Sequence, residues 1–376
     1  MRACRTDKGV HAAGQVVSVK MLVKTTEEQD ERKALEDTVS RLNQLLPKDM
    51  RIFDIKRTVS SFHAKERCDS RFYEYLLPTY AVAAASPEPY LNPVPRPFEE
   101  QSPSNSTIDG ESGKKQKTKK DADSDDEAQE LEEKEDDEAP TTTTAIKSSG
   151  EWISKLTEEE QHLINTYRID PQTKTRLKEL LSLYVGSHCY HNFTIGKNAK
   201  DPSCRRHIFD VILGEPFVRD GLEWISIVFH GQSFMLHQIR KMVGLVIMSM
   251  RLNCRMQIVK DCLLPSVKVN IPKAPALGLL LDKAIFRAYN TKVATTNATL
   301  VAIDFDCYDE ARKRLKDELI YPKIHGEEHQ FNRFMGWLRC NDEHASEFSF
   351  LRPYIQSKEE QKNVEEGDNK VEKIEN

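Results

Sequence analysis

The sequence predicts an α+β fold, and three observations carry that reading. Runs rich in β-branched and aromatic residues, at 71–77, 206–213 and 222–229, have the length and composition of strands. Apolar residues recur at helical spacing beside them: Leu35, Val39, Leu42 and Leu46 in the first part, Leu177, Leu180, Leu181 and Tyr184 in the second. The same mix therefore appears on both sides of a long polar stretch, which suggests a duplicated core of two sheet-and-helix halves.

In chain order, QVVSVKMLV (15–23) reads as a strand, and the helix through Leu35 to Leu46 is stopped by Pro47. RIFDIKRTV (51–59) and RFYEYLL (71–77) read as two further strands, completing an N-terminal half over 1–80. The composition then changes. Proline-rich sequence leads into lysines 114, 115, 117, 119 and 120, and 121–138 carries twelve acidic residues and one lysine. Such a segment cannot bury enough apolar surface to offset the entropy of ordering it, so 81–160 is expected to be a disordered charged insertion. A C-terminal half over 161–300 opens with the helix around Leu177 and continues through strands at 206–213 and 222–229. His230 to Ser233 reads as a turn and helix cap before a strongly apolar helix from Phe234 to about Leu252. A short helix at 256–264 and a strand at 277–286 follow. A helix at 309–319 begins an extension over 301–357, and 358–376 reads as a disordered tail.

The 376 residues carry a net charge of −5. The stretches 101–150 and 358–376 contribute −7 and −3, which leaves +5 on the remainder, a mildly basic balance compatible with a polyanionic partner. Eight scattered cysteines without a CxxC pair point to free thiols in a reducing compartment. No ligand spacing argues for a metal, although distant Cys and His leave such a site open. The longest apolar run, Val243 to Met250, is too short for a membrane span, and the opening MRACRTDKGVHAAG does not read as a secretory leader.

Three segments carry candidate chemistry. Arg5-Thr6-Asp7-Lys8-Gly9 is by itself a polar turn with one carboxylate. On the strand RFYEY, period-two geometry puts Arg71, Tyr73 and Tyr75 on one face, where aromatic residues are usually core. In SFMLHQIRKMVGLVIMSM, Met235, Ile239, Met242, Val246 and Met250 form an apolar stripe bordered by His237, Gln238, Arg240 and Lys241. An arginine at the edge of such a helix either snorkels to water or pairs with a carboxylate.

Taken together and in order, these segments match a known pattern. RTDKGVHAAGQVV resembles the aspartate motif of the TruA-type pseudouridine synthases, CDSRFYEYLLP their Arg-x-Tyr-x-Tyr motif, and GQSFMLHQIRKMVG their arginine-bearing helix. GSHCYHNFT and APALGLLLDKAIF resemble two further family elements, so the likeness spans 1–290, with DPSCRRHI and ELIYPKIHGEEHQFNRFMGWL similar to the eukaryotic subgroup. The family's strand and helix before the aspartate motif are expected to be missing here.

The resemblance implies a pseudouridine synthase fold whose two halves flank an RNA-binding catalytic cleft, and a tRNA pseudouridine synthase that isomerises uridine without a cofactor. It implies that Asp7 is the catalytic aspartate, that Tyr73 stacks on the target base and that Arg240 pairs with Asp7. Arg5, Lys8, His11, Arg71, His188, Gln238 and Lys241 are the expected RNA contacts. The expected partners are tRNA, with snRNA and mRNA as further substrates, and no membrane; the eukaryotic subgroup further implies a monomer. The lysine cluster at 114–120 and the subgroup point to the nucleus, with the mitochondrion as a second location. The rival reading is a catalytically impaired RNA-binding paralogue or truncated isoform on the same scaffold.

Overall fold

The computed structural model describes residues 1–22, 31–92, 155–296 and 300–356. These fall in one compact unit. In its first part lie β1 (His11–Ala12), α1 (Glu31–Leu45), β2 (Ser70–Pro78) and α2 (Glu88–Leu91). After the charged stretch come α3 (Glu158–Thr166), α4 (Pro171–Ser182), β3 (Gly186–Cys189), β4 (Arg205–Leu213), β5 (Phe217–Arg219) and β6 (Leu222–Gly231). Helices α5 (Gln238–Arg251) and α6 (Gln257–Cys262), strand β7 (Leu279–Ile285) and helix α7 (Arg287–Thr296) follow. The extension contains α8 (Asp309–Leu315), a π-helical turn (Lys316–Ile320), α9 (Tyr321–Phe331) and α10 (Arg333–Glu343).

Among the described residues the strands form one seven-stranded sheet, ordered β1-β7-β2-β6-β4-β3, with β5 paired to β6. β1 runs parallel to β7 and the other pairs are antiparallel, so the fold is α+β on a mixed sheet. Strand β2, which precedes the charged stretch, lies between β7 and β6, which follow it. The two parts of the chain thus share one sheet.

Helix α5 is the centre of the packing: all of its residues except Arg240 are buried. Each fully buried Leu, Ile, Val or Met side chain there stabilises the fold by about 1.5–3 kcal/mol. Gly244 permits the close approach of the segment before β7, because a Cβ at that position would lie 2.2 Å from the Pro272 carbonyl oxygen. The extension is bonded to the sheet through paired polar groups. Glu74, buried within β2, accepts from Lys316 at 3.0 Å, Tyr321 at 2.9 Å and Ser226 at 2.7 Å. Arg251 of α5 holds Asp342 of α10 by two bonds of 3.0 and 2.9 Å. Buried charges persist when matched in this way.

Several sequence expectations need correction. Residues 15–22 make no strand; Val17 forms only a bridge with Arg2, and Val17, Val19 and Leu22 are exposed, with no sheet neighbour to bury them. Residues 51–59 are also outside any strand. There the Asn43 side-chain amide substitutes for a neighbouring strand, bonding both N–H and C=O of Ile52 at 2.8 Å. The helix expected from Phe234 starts at Gln238, and that expected over 309–319 runs on through the π turn to Phe331. Most of the expected insertion, including the lysine cluster, and the tail 358–376 lie outside the described residues. Among the described residues no helix is long and apolar enough to cross a membrane.

Candidate active site

Asp7 stands on a loop closed at its base by a side chain. Gln15 pairs with the backbone of Cys4, accepting from its N–H at 3.1 Å and donating to its C=O at 2.8 Å, as a strand neighbour would. Beyond it, β1 and Ala13 fix the other arm on β7, where Ala13 N–H donates to Leu281 at 2.8 Å. At the tip, Val10 N–H donates to the Asp7 carbonyl, and Gly9 has φ 80°, the conformation a type II turn demands at its third position. Tyr73 supports the loop from below, its hydroxyl donating to the Arg5 carbonyl at 3.2 Å.

The opposing residues come from the start of α5. His237 caps this helix with φ 60°, a left-handed conformation, and the Gln238 side chain accepts from Met235 N–H at 2.9 Å. This local bonding explains why the helix begins later than its apolar spacing suggests. It also aims His237 at the loop: Nδ1 lies 2.8 Å from Asp7 Oδ2. Arg240, one turn on, places Nη1 3.0 Å from the same oxygen. Its Nε donates to the Ala274 carbonyl at 2.8 Å, and Ala274 N–H donates to the Arg240 carbonyl at 3.0 Å. One of these bonds holds the guanidinium and the other the backbone beneath it, so the side chain is fixed before it meets Asp7.

Burial alone would raise the Asp7 pKa, but His237 and Arg240 together hold it down at about 2, against an ordinary 3.8. With Asp7 ionised, its carboxylate oxygen is the acceptor and His237 Nδ1 is the donor in the bond between them. Both donors converge on Oδ2, and among the described residues none donates to Oδ1. The carboxylate is therefore charged, fixed in direction and left with one unoccupied oxygen.

A depressed carboxylate pKa stabilises the folded state at pH values above the unfolded pKa and ceases to do so as pH falls through the folded one. Between about pH 5 and pH 2 the chain should lose about 2 kcal/mol through this group. Urea midpoints measured across that range should fall more steeply for the parent than for Asp7→Asn. Parallel curves would remove the assignment.

The other expected site residues divide into two groups. Arg5 and Lys8 are exposed beside Asp7. Tyr73 is only 6% exposed, with the ring of Phe234 edge-on at 5.2 Å. Arg71 donates to the backbone carbonyls of Gln232 at 2.6 Å and Ala3 at 3.2 Å. Gln238 and Lys241, expected to touch RNA, are instead interior. Lys241 donates to Thr194 C=O at 3.1 Å, and burial pushes its ammonium pKa down to about 8. His188 lies on β3 and bonds the Val185 carbonyl at 3.0 Å. His11 has Glu327 and Lys323 of α9 as its charged neighbours, and burial lowers its pKa. His237 stood with Gln238, Arg240 and Lys241 at the edge of the apolar stripe but was not counted among the expected site residues; its position one turn before Arg240 is the signal that marks it. Among the described residues no group of three or more His, Cys, Asp or Glu is placed to hold a metal ion.

A fixed carboxylate with one free oxygen, beside exposed cations and an aromatic ring, suits attack or proton removal at a sugar within a polyanion. A family profile described as tRNA pseudouridine synthase matches residues 180–287. The chain is 36% identical over 394 residues to tRNA pseudouridine synthase 1 of Candida albicans, covering 96% of this chain and 62% of that protein. It is 33% identical over 337 residues to the human pseudouridylate synthase 1 homolog, covering 90% and 59%. The chain spans less than two thirds of the length of several relatives it matches. The tRNA pseudouridine synthase 1 of Schizosaccharomyces pombe is 34% identical over 412 residues, covering 93% of this chain and 75% of that protein. With the profile match and relatives of this extent, the chain belongs to the tRNA pseudouridine synthase family.

Proposed function

We propose that this chain isomerises uridine to pseudouridine in tRNA, with Asp7 acting on the sugar of the target nucleotide. The observation that carries the proposal is the pairing of His237 and Arg240 on one oxygen of Asp7, which leaves the other free. The reaction breaks the N1–C1′ bond, turns the uracil, forms C5–C1′ and moves a proton from C5 to N1. Attack at C1′ and removal of the C2′ proton both need an ionised carboxylate held at the sugar. Neither route consumes an oxidant or reductant, so no cofactor is required. The target base must leave its stack to reach Asp7, and exposed Arg5 and Lys8 are placed to hold the phosphates around it. Other folded RNAs, snRNA and mRNA among them, are further substrates in this reading, and the chain acts as a monomer. Incubating the purified protein with an unmodified tRNA transcript and assaying chemically for pseudouridine tests it. Absence of product while the tRNA is bound would leave the impaired-paralogue reading in its place.

Tyr73 holds the uracil while it turns, and Phe234 is the ring that has to yield for the base to stack there. Tyr73→Phe keeps the ring and loses the bond to Arg5, worth about 1 kcal/mol, so single-turnover rates should stay within about tenfold of the parent. Tyr73→Leu removes the stacking face and should cost more than about a hundredfold. Parental rates in Tyr73→Leu would exclude this role.

The nuclear location rests on the lysines at 114, 115, 117, 119 and 120. Alanine at all five should move a tagged protein to the cytoplasm, and an unchanged nuclear signal would count against the cluster.

A further inference from the structure

Strand register arranges a row of residues across the sheet near Asp7. Arg71 of β2 opposes Gly231 of β6, which opposes Ile208 of β4, which opposes Gly186 of β3. Two residues along, Arg206 opposes His188. Opposed residues share a face of a sheet and the period of two keeps Arg206 on the face of Ile208, so Arg206 and Arg71 look out on the same side as Tyr73. Gly231 leaves the space between them that Phe234 and Ile208 fill: a Cβ there would stand 2.7 Å from Phe234 and 3.0 Å from Ile208. The row therefore runs from the ring beside Asp7 to a guanidinium two strands away.

That guanidinium is poorly satisfied. Its Nε is buried without a hydrogen-bond partner, and Nη1 reaches only the Arg205 carbonyl, at 3.2 Å. Burial disfavours its charge; Asp201 is near enough to attract it without forming an ion pair, and Arg71 is near enough to repel it. Among the described residues no carboxylate pairs with either, whereas Arg240, Arg251 and Arg312 each face one. Two half-buried guanidinium groups that repel each other and make no ion pair raise the free energy of the empty protein, and an anion bound over both offsets that penalty.

We propose that Arg206, with Arg71 beside it, forms a subsite for a backbone phosphate of the RNA whose uridine lies at Asp7. The proposal rests on the functional reading above. A phosphodiester fits the pair because guanidinium donors meet two of its oxygens at once, and a nucleotide at Asp7 brings neighbouring phosphates over this face. Arg206 acts by positioning, at a distance from the reacting atoms, and its contribution is to affinity and register.

The test uses the full chain with Arg206→Met and Arg206→Lys, and labelled tRNA binding measured from about 50 to 200 mM salt. Arg206→Met should bind about tenfold more weakly at the low end, and the slope of log affinity against log salt should become shallower by about 0.7–0.9, the value for one phosphate. Arg206→Lys should keep the slope and lose part of the affinity. The melting temperature of Arg206→Met should hold or rise, because a repulsion has been removed; a merely structural arginine would lower it and leave the slope alone. An unchanged slope in Arg206→Met, with the parent binding and converting tRNA, overturns the subsite alone. A parent that neither binds nor converts tRNA overturns the functional reading and the subsite with it.

Discussion

Asp7→Asn should lower pseudouridine formation by at least about a thousandfold while tRNA affinity stays within about threefold of the parent. The substitution barely changes the side chain's size, and the two donors dictate how the amide sits. His237 and Arg240 both need an acceptor at the Oδ2 position, 2.8 and 3.0 Å away, so the amide oxygen takes that place. Its NH2 group then occupies the position of Oδ1. An amide NH2 has no lone pair available for attack at C1′ and cannot accept a proton from C2′, so the group facing the substrate becomes inert on either route. Affinity survives because it is spread over many phosphate contacts. Single-turnover rates and binding curves on the same preparation separate the two effects. Turnover by Asp7→Asn near the parental rate would exclude the aspartate and the mechanism together.

How far this site was legible in the sequence depended on whether a residue's role is local or depends on the fold. Asp7, Tyr73 and Arg240 sit in three motifs whose order pointed to one family, and the fold brings them onto one loop, one strand and one helix around a single carboxylate. Their neighbours were harder to read, since charge in a sequence does not distinguish a group that faces a ligand from one that satisfies carbonyls. Lys241 turns to backbone oxygens, and Arg71 gives part of its guanidinium to them. His237 was misplaced by a single conformational fact: apolar spacing from Met235 onward suggests an unbroken helix, whereas a left-handed residue at 237 starts the helix afresh and swings the imidazole to Asp7. The strands show the same limit. Val17, Val19 and Leu22 have the composition of a strand but only a single bridge, from Val17 to Arg2, while the two-residue β1 is a real strand too short to show any alternation. Composition reports what a residue favours, and only the packed sheet decides whether a partner is there.

Arg240→Ala should remove activity as fully as Asp7→Asn and, in addition, destabilise the fold by about 3–5 kcal/mol. Arg240 is the one residue of α5 that is not buried, and it ties three segments: the helix itself, Ala274 before β7, and the Asp7 loop. Truncation leaves the carboxylate desolvated with His237 alone opposing the effect of burial, so the Asp7 pKa rises and its ionised form becomes costly in the folded state. Arg240→Lys keeps a charge, but a single ammonium cannot match both the 2.8 Å bond to Ala274 and the 3.0 Å bond to Asp7, so activity should fall about 10- to 100-fold. The double variant Asp7→Asn/Arg240→Ala decides whether the stability loss arises from the unpaired charge. With no ion left to bury, it should be destabilised by clearly less than the two single losses added together, a coupling of about 1–3 kcal/mol read from denaturant midpoints. Strict additivity would mean that Arg240 supports the fold through α5 and Ala274 alone and leaves the charge of Asp7 to His237.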